Sequence, residues 1–469
     1  MVQHLSARLA VLGGGPGGYT AAFRAADLGL EVCLINQDDQ LGGTCLHVGC
    51  IPSKTLLHAA AVIAEARNVA ASGIVFAPPQ IDLETLRRHQ AGIIAQLGSG
   101  LAGLAKARRI TRLTGRATLL DRSTLEVTGP GGETRVSFID LILATGSRPL
   151  ALPDYPKDPR IWDSATALAL PMIPAQLLII GGGIIGLEMA QVYSALGAAI
   201  TIVESQDQII PAADRDLVQP LFLQLKKKYR ILTRTRVTGI AADPAGIEVS
   251  LAGDRAPAVE RFDAVLVAMG RSPNSQGLGL EAIGLHPDPR GFLPVDQHQQ
   301  TALPHIYAVG DLVGEPMLAH KASHQAKVAA EVIAGLSSTF APRAIPAVAY
   351  TSPEIAWVGL NEKELERRGI SYRKGKFPWG ASGRALSAGV ATGVSKVLCD
   401  QSTGRILGAG ICGHNAGELI HEAALALEIG ATAEDIARTV HAHPTLAETL
   451  AFAAEMVTGS ITDALPPKR

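Results

Sequence analysis

The feature that most restricts the fold is a strand, glycine loop, helix and strand that occur in that order twice. In the first unit residues 9–12 read as strand, Gly13-Gly14-Gly15-Pro16-Gly17-Gly18 as loop, 19–28 as helix and 31–35 as the next strand. In the second, 177–180, Gly181-Gly182-Gly183-Ile184-Ile185-Gly186, 187–196 and 200–204 repeat the pattern. This is the β-α-β setting in which GxGxxG holds a dinucleotide. The first glycine (Gly13, Gly181) permits the tight turn, the second (Gly15, Gly183) lets backbone approach a pyrophosphate, and the third (Gly18, Gly186) lets helix pack on strand. The helix N-terminus adds amide donors and partial positive charge for the phosphates. A chance glycine loop competes with this reading for either unit alone. The shared register argues against it, because the residue closing the second strand lies 18 positions past the last glycine in both units.

Those closing residues differ. Glu204 can accept from both hydroxyls of an adenosine ribose and repels a 2′-phosphate, so the second unit is expected to prefer NAD over NADP. Asn36 stands at the same place in the first unit. An amide can still bond there but without the charge-assisted component, and looser binding of the adenosine end is expected.

Between the units lies Gly42-Gly43-Thr44-Cys45-Leu46-His47-Val48-Gly49-Cys50-Ile51-Pro52-Ser53-Lys54, followed by a helix-compatible run. At a rise of about 1.5 Å per residue, two cysteines five positions apart on a regular helix are about 7.5 Å apart and off each other's face. That is beyond the roughly 7 Å reach of a disulfide. A bond therefore requires a distorted first turn, for which Gly49 and Pro52 are suited, and a distorted disulfide is easily reduced. Two buried, unpaired thiols are the other reading. Cys33, Cys399 and Cys412 sit in apolar strand-like runs and read as packing residues.

Composition narrows the classes. Lys plus Arg (42) and Asp plus Glu (43) nearly cancel, which argues against nucleic acid or an anionic membrane as partner. Five cysteines are too few for a secreted scaffold and point to a reducing, cytoplasmic setting. No signal-peptide pattern and no apolar run of membrane-spanning length is expected.

Further along, 56–104 reads as helices and 110–136 as strands. Residues 141–144 form a buried strand leading into Thr145-Gly146-Ser147, and the Pro-rich 149–159 marks a boundary. Residues 263–269 and the following Gly270-Arg271-Ser272-Pro273 echo that strand and turn. The strand 306–309 ends at Gly310-Asp311, a carboxylate able to bind a ligand hydroxyl or to cap the helix that begins near 318. From 346 the pattern changes to α+β. The tail holds His441-Ala442-His443-Pro444-Thr445-Leu446-Ala447-Glu448, with Pro444 suited to a helix's first turn and Glu448 able to reach back to His443. Such a pair raises a histidine's basicity and orients it for general-base work. A satisfied structural histidine competes with that reading, and a metal reading lacks further ligands.

The motifs GGTCLHVGCIPSK, ATGSRP, GGGIIGLE, AVGD, MLAHKA, FPWGASGRA, HAHPTLAET and GSITD together make the chain resemble, nearly end to end, the dihydrolipoamide dehydrogenases of the pyridine nucleotide–disulfide oxidoreductase family. The resemblance implies an α/β chain. It would contain a first segment of an FAD-binding domain (1–150), an NAD-binding domain (151–271), a return segment of the FAD domain (272–343) and a C-terminal α+β dimerisation domain (344–469). It implies a redox disulfide between Cys45, the interchange thiol, and Cys50, which faces the flavin. FAD would also lie against Gly13, Gly15, Gly18, Asn36, Gly43, Thr44, Lys54, Ala117, Thr145, Gly146, Ser147, Asp311 and Ala319. NAD would lie against Gly181, Gly183, Ile185, Gly186, Glu188, Glu204, Val237 and Gly270, with Lys54 pairing Glu188. His443, oriented by Glu448, would act as base on the partner subunit's cysteines, so a homodimer with shared active sites is implied. Lipoyl domains and the core of a 2-oxo acid dehydrogenase complex would be its partners. Asn36, where the family commonly has Glu, and Ala117, near a position often Gly, are departures that bear on FAD affinity.

Relatives fit less well. Glutathione reductases need basic residues for the NADPH phosphate where this chain has Glu204. Mercuric reductases carry a C-terminal cysteine pair, and no cysteine follows Cys412. Soluble transhydrogenases lack the CxxxxC pair. A non-catalytic flavin-binding scaffold would have no use for Cys45, Cys50, His443 and Glu448 together.

Overall fold

The computed structural model describes residues 2–150, 155–254 and 256–465. It divides into two compact units, one of Met1–Thr55, Asp82–Ala151 and Gly270–Ala341, the other of Leu56–Ile81, Leu152–Met269 and Pro342–Arg469. Part of the Pro-rich boundary expected at 149–159, the stretch 151–154, lies outside the described residues.

The first unit is built on a seven-stranded sheet. Its central strand Gln3–Leu12 pairs in parallel with Val32–Asn36 on one side and Gly132–Leu143 on the other, and Ile306–Ala308 joins the latter in parallel. The antiparallel strands Arg116–Leu119 and Thr124–Gly129 extend the sheet beyond Gly132–Leu143. Central strand residues Leu9, Ala10 and Val11 are all fully buried, as expected where a parallel sheet is covered on both faces. One face packs with Ala21, Ala22, Ala25 and Ala326, and the other with Leu125, Leu280 and Leu293. The helix Pro16–Asp27 buries a small-residue stripe of Gly17, Gly18, Ala21, Ala22 and Ala25, and Ala319–Ile333 packs beside it.

The second unit repeats the dinucleotide architecture with the parallel order Arg230–Leu232, Ala199–Val203, Gln176–Ile180, Ala264–Val267, Ile161–Trp162. A three-stranded antiparallel meander over 236–262 adjoins it. A five-stranded antiparallel sheet over 347–413 is backed by helices Ala416–Ile429 and Glu448–Thr458. The α/β class with a C-terminal α+β region is therefore as the sequence predicts.

The helices expected across 56–104 are Cys50–Asn68 and Leu83–Ala107, separated by a short 3₁₀ turn and the Pro-containing residues 74–81. Two local expectations need correction. The final helix begins at Glu448 rather than at Pro444, because a hydrogen-bonded turn occupies 443–447. And the helical run Gly43–Ser72 does reach membrane-spanning length and hydropathy, with a mean of 1.3 over its best window and 28% of that window buried. Alanines spread modest hydropathy along it, but Gly49 interrupts it with φ −146° and ψ −109°.

Candidate redox and dinucleotide site

The short helix Gly43–Val48 carries Cys45, and the helix Cys50–Asn68 opens on Cys50. Gly49 forms the break. A Cβ there would lie 2.8 Å from the Thr44 carbonyl oxygen and 3.5 Å from the Cys45 Cα, so only glycine allows the two helices to meet this closely. The break does what a regular helix cannot and brings the two sulfurs into side-chain hydrogen-bond contact. Cys45 is pushed well above the ordinary thiol range, first by its hydrogen bond with Cys50, then by burial and by the charge of Cys50; Lys54 pulls the other way.

The surroundings hold this geometry. His47 Nε2 bonds to the Leu41 carbonyl at 2.9 Å, Ser53 Oγ donates to the Cys50 carbonyl at 3.1 Å, and buried Gln90 reaches the Pro52 carbonyl at 3.4 Å. Pro52, in the first turn, gives up no intrahelical bond. Lys54 Nζ donates to Ser53 Oγ at 3.3 Å. Tyr19, from the first glycine-loop helix, lies close enough to both cysteines to feel their charge; its hydroxyl pKa is raised by burial and then by Cys45 and Cys50. No sequence signal singled it out.

The two glycine loops are near copies. Gly13 and Gly181 have φ +114° and +113°, and a Cβ at either would meet a carbonyl oxygen, of Ala144 at 2.2 Å or of Ala268 at 2.4 Å. Gly15 and Gly183 cap helices Pro16–Asp27 and Ile184–Ala195 without any side-chain cap, and a Cβ there meets only Gly43 Cα at 3.8 Å or nothing within 4 Å. Uncapped amides facing open space fit a pyrophosphate in each unit. At the strand ends Asn36 Oδ1 accepts the Gly14 amide at 2.9 Å, and Glu204 Oε2 accepts the Gly182 amide at 2.8 Å. Glu204 Oε1 also accepts from Gln206 N at 2.7 Å.

Other expected residues fall into two groups. Ser147 Oγ donates to Asp311 Oδ2 at 2.5 Å and accepts from Arg271 Nε at 2.7 Å. Thr145 and Gly146 are tied to Asn274 through backbone and side-chain bonds. Ala319 starts a 15-residue helix whose cap, Leu318, offers no side-chain bond. Ala117 directs its side chain into the core, leaving only its backbone for a ligand. In the second unit Glu188 is buried and accepts the Tyr350 amide at 3.0 Å. Ile185 lies in the first turn of its helix, Val237 at a bulge in the meander. Gly270, in the first unit, has φ +133° beside Arg271, whose lock on Ser147 sequence reasoning missed.

His443 Nδ1 lies 2.8 Å from Glu448 Oε1, as predicted, and Glu448 Oε2 accepts the Thr445 amide at 2.7 Å. The carboxylate side chain is 13% exposed and the imidazole 79%. The His443 Nε2 has no partner among the described residues, so the ring is braced from behind and its outer nitrogen is open.

Residues 7–326 match the family described as pyridine nucleotide-disulphide oxidoreductase, and 345–454 match its dimerisation domain. The chain is 51% identical over 465 residues to a dihydrolipoyl dehydrogenase of Vibrio cholerae, covering 99% of this chain and 98% of that one. It is 39% identical over 452 residues to the Bacillus subtilis dihydrolipoyl dehydrogenase, covering 96% of each. Among solved structures, LpdA from Mycobacterium tuberculosis superposes with a TM-score of 0.88 at 27% identity, covering 97% of this chain and 99% of that one. The HOCl-induced flavoprotein disulfide reductase RclA from Escherichia coli gives 0.84 at 25% identity, covering 94% and 98%. With both dinucleotide loops, the paired thiols and these matches along its length, the chain belongs to the pyridine nucleotide-disulphide oxidoreductase family.

Proposed function

We propose that this chain is an FAD-containing, NAD-linked dihydrolipoyl dehydrogenase, oxidising the dihydrolipoamide of lipoyl domains in a 2-oxo acid dehydrogenase complex. The observation that carries the reading is the contact between the Cys45 and Cys50 sulfurs across the Gly49 break, within a chain about half identical to dihydrolipoyl dehydrogenases. Residues 1–150 and 272–343 would bind FAD, 151–271 NAD and 344–469 the second subunit. With only five cysteines in 469 residues, a reducing, cytoplasmic setting fits this reading.

The chemistry starts from the oxidised, disulfide form of the pair. The open Nε2 of the partner subunit's His443 takes a proton from one thiol of dihydrolipoamide, and Glu448 stabilises the imidazolium so formed. The substrate thiolate attacks Cys45 Sγ, the Cys45–Cys50 bond breaks and Cys50 leaves as thiolate. The second substrate thiol then attacks its own sulfur in the mixed disulfide, closing lipoamide and releasing Cys45, which takes a proton. Exposure does not single out Cys45 as the outer thiol, since Cys50 is the more exposed of the two. That assignment rests on the family resemblance. FAD supplies the electron acceptor for the reduced pair and the hydride donor for NAD⁺. Asp311, held by Ser147, and the uncapped amides at Gly15 would hold FAD; Glu204 and the amides at Gly183 would hold NAD⁺.

An anaerobic titration of the purified protein with dihydrolipoamide tests the reading. A long-wavelength thiolate-to-flavin band and NADH-linked turnover are expected. Turnover only with glutathione disulfide and NADPH would overturn it.

A further inference from the structure

His441 has no part in the chemistry above, yet it is more constrained than the base two residues away. Between Val440, which is 96% exposed, and His443, its side chain turns inward and is only 10% exposed. Its Nδ1 bonds to the Thr439 carbonyl at 2.8 Å and its Nε2 to Glu422 Oε1 at 2.8 Å. Thr439 is itself fixed to the end of the helix Ala433–Arg438, its amide bonded to the Ile436 carbonyl and its hydroxyl to the Asp435 carbonyl. Glu422 lies in the middle of the helix Ala416–Ile429. The imidazole therefore pins an otherwise exposed strand of chain to two helices. Past His443, the Ala442 carbonyl accepts from Thr445 Oγ1, and the Thr445 amide is held by Glu448. The exposed base is suspended between two anchors, His441–Glu422 before it and Glu448 after it.

Resting on the reading of His443 as the base, we infer that the His441–Glu422 pair is a positioning device that fixes where the His443 imidazole is presented. The physical need is clear from the geometry. A side chain 79% exposed and bonded at one ring nitrogen can pivot about that bond unless the backbone bearing it is held. Misplacing a reacting group by about 1 Å can cost on the order of 100-fold in rate. The pocket around the anchor is acidic from more than one side. Glu455, in the helix Glu448–Thr458, has its carboxyl pushed up by burial and by Asp463 and pulled down by His441. The imidazole thus faces carboxylates from the helices Ala416–Ile429 and Glu448–Thr458.

The test compares His441→Ala, Glu422→Ala, Glu422→Gln and His443→Gln as FAD-loaded dimers, following both dihydrolipoamide-linked turnover and NADH oxidation by an artificial acceptor, which needs no base. His441→Ala and Glu422→Ala are expected to lower lipoamide-linked kcat by about 10- to 100-fold, with acceptor-linked turnover, FAD content and dimer state unchanged. Glu422→Gln is expected to recover most of that loss, since its amide can donate to Nε2 while Nδ1 still donates to Thr439. Equal loss in both assays, or no recovery in Glu422→Gln, would mean a purely structural role and overturn the inference. If His443→Gln is inactive toward dihydrolipoamide while His441→Ala is not impaired, the inference alone fails. If His443→Gln keeps full lipoamide turnover, the reading of His443 fails and takes the inference with it.

Discussion

Asn36 Oδ1 accepts the Gly14 amide at 2.9 Å, taking the same backbone bond that Glu204 takes from Gly182. The rest of the amide is also occupied, since Nδ2 donates to the carbonyls of Asp38 at 2.8 Å and Gln40 at 3.0 Å. Asn36 thus organises its loop as well as a carboxylate could and adds two bonds a carboxylate cannot make. What it lacks is a charged acceptor for ribose. Asn36→Glu should strengthen FAD retention by about 1 kcal/mol, the advantage of a charged hydrogen bond reduced by the loss of the loop bonds. Flavin release on dialysis should slow about fivefold. Equal release from both proteins would show that the loop bonds compensate fully.

The contact between Cys45 and Cys50 makes the two serine variants unequal. Either should cut lipoamide turnover by more than about 1000-fold, because one sulfur cannot carry the exchange. Cys45→Ser removes the neighbour whose proton and charge compete with Cys50, so the FAD-loaded variant should show the long-wavelength band without any reductant. Cys50→Ser should not. The reverse pattern would exchange the roles of the two sulfurs.

Legibility in the sequence followed the range of the interactions. The glycine loops, Gly49 and the His443–Glu448 pair are set within a few residues, and their geometry is as the spacing predicts. The chain from Arg271 through Ser147 to Asp311 joins positions more than a hundred residues apart. The partner of His441 lies 19 residues back on another helix, where no local pattern reveals it. Asn36 was legible only in part. Its lack of a charged acceptor for ribose follows from the side chain alone, but its second role, bonding Asp38 and Gln40, becomes visible only when the loop is folded.

Glu448 serves the imidazole with one oxygen and the Thr445 amide with the other. Glu448→Gln can keep the oxygen on one of these partners but has no charge with which to stabilise an imidazolium. Lipoamide-linked kcat should fall by about 100-fold or more, with thermal stability nearly unchanged. Stopped-flow measurement of the dithiol half-reaction isolates this step; an unchanged rate there would remove Glu448 from base catalysis.

Lys396, on a central strand of the C-terminal sheet, is 2% exposed and donates to Asp214 and Asp216 at 2.7 Å each and to Glu362. Burial works to lower its pKa, but the bonds to the three carboxylates outweigh it and the pKa is raised. Burial likewise works to raise Asp216 and Glu362; Lys396, helped by Lys374 and Lys376 at Asp216 and by Lys374 and Tyr372 at Glu362, brings both below their ordinary values. The raised lysine contributes stability that is complete below the unfolded value of about 10.4 and is lost as pH climbs through the folded one. The lowered carboxylates contribute stability present above about 4 and lost as pH falls through their folded values. Between those limits this cluster should make the wild-type protein nearly indifferent to pH. Lys396→Met leaves carboxylate oxygens within 4.8 Å of one another with only the more exposed Lys374 and Lys376 nearby. The loss should be about 3–5 kcal/mol at pH 7. The loss should also shrink as pH falls from 7 toward 5, because the crowded carboxylates of the variant are relieved by taking up protons while the wild-type cluster changes little. Thermal unfolding of the FAD-loaded protein across that range measures both effects. A deficit of the same size at every pH would mean that Lys396 acts there by filling space and not by its charge.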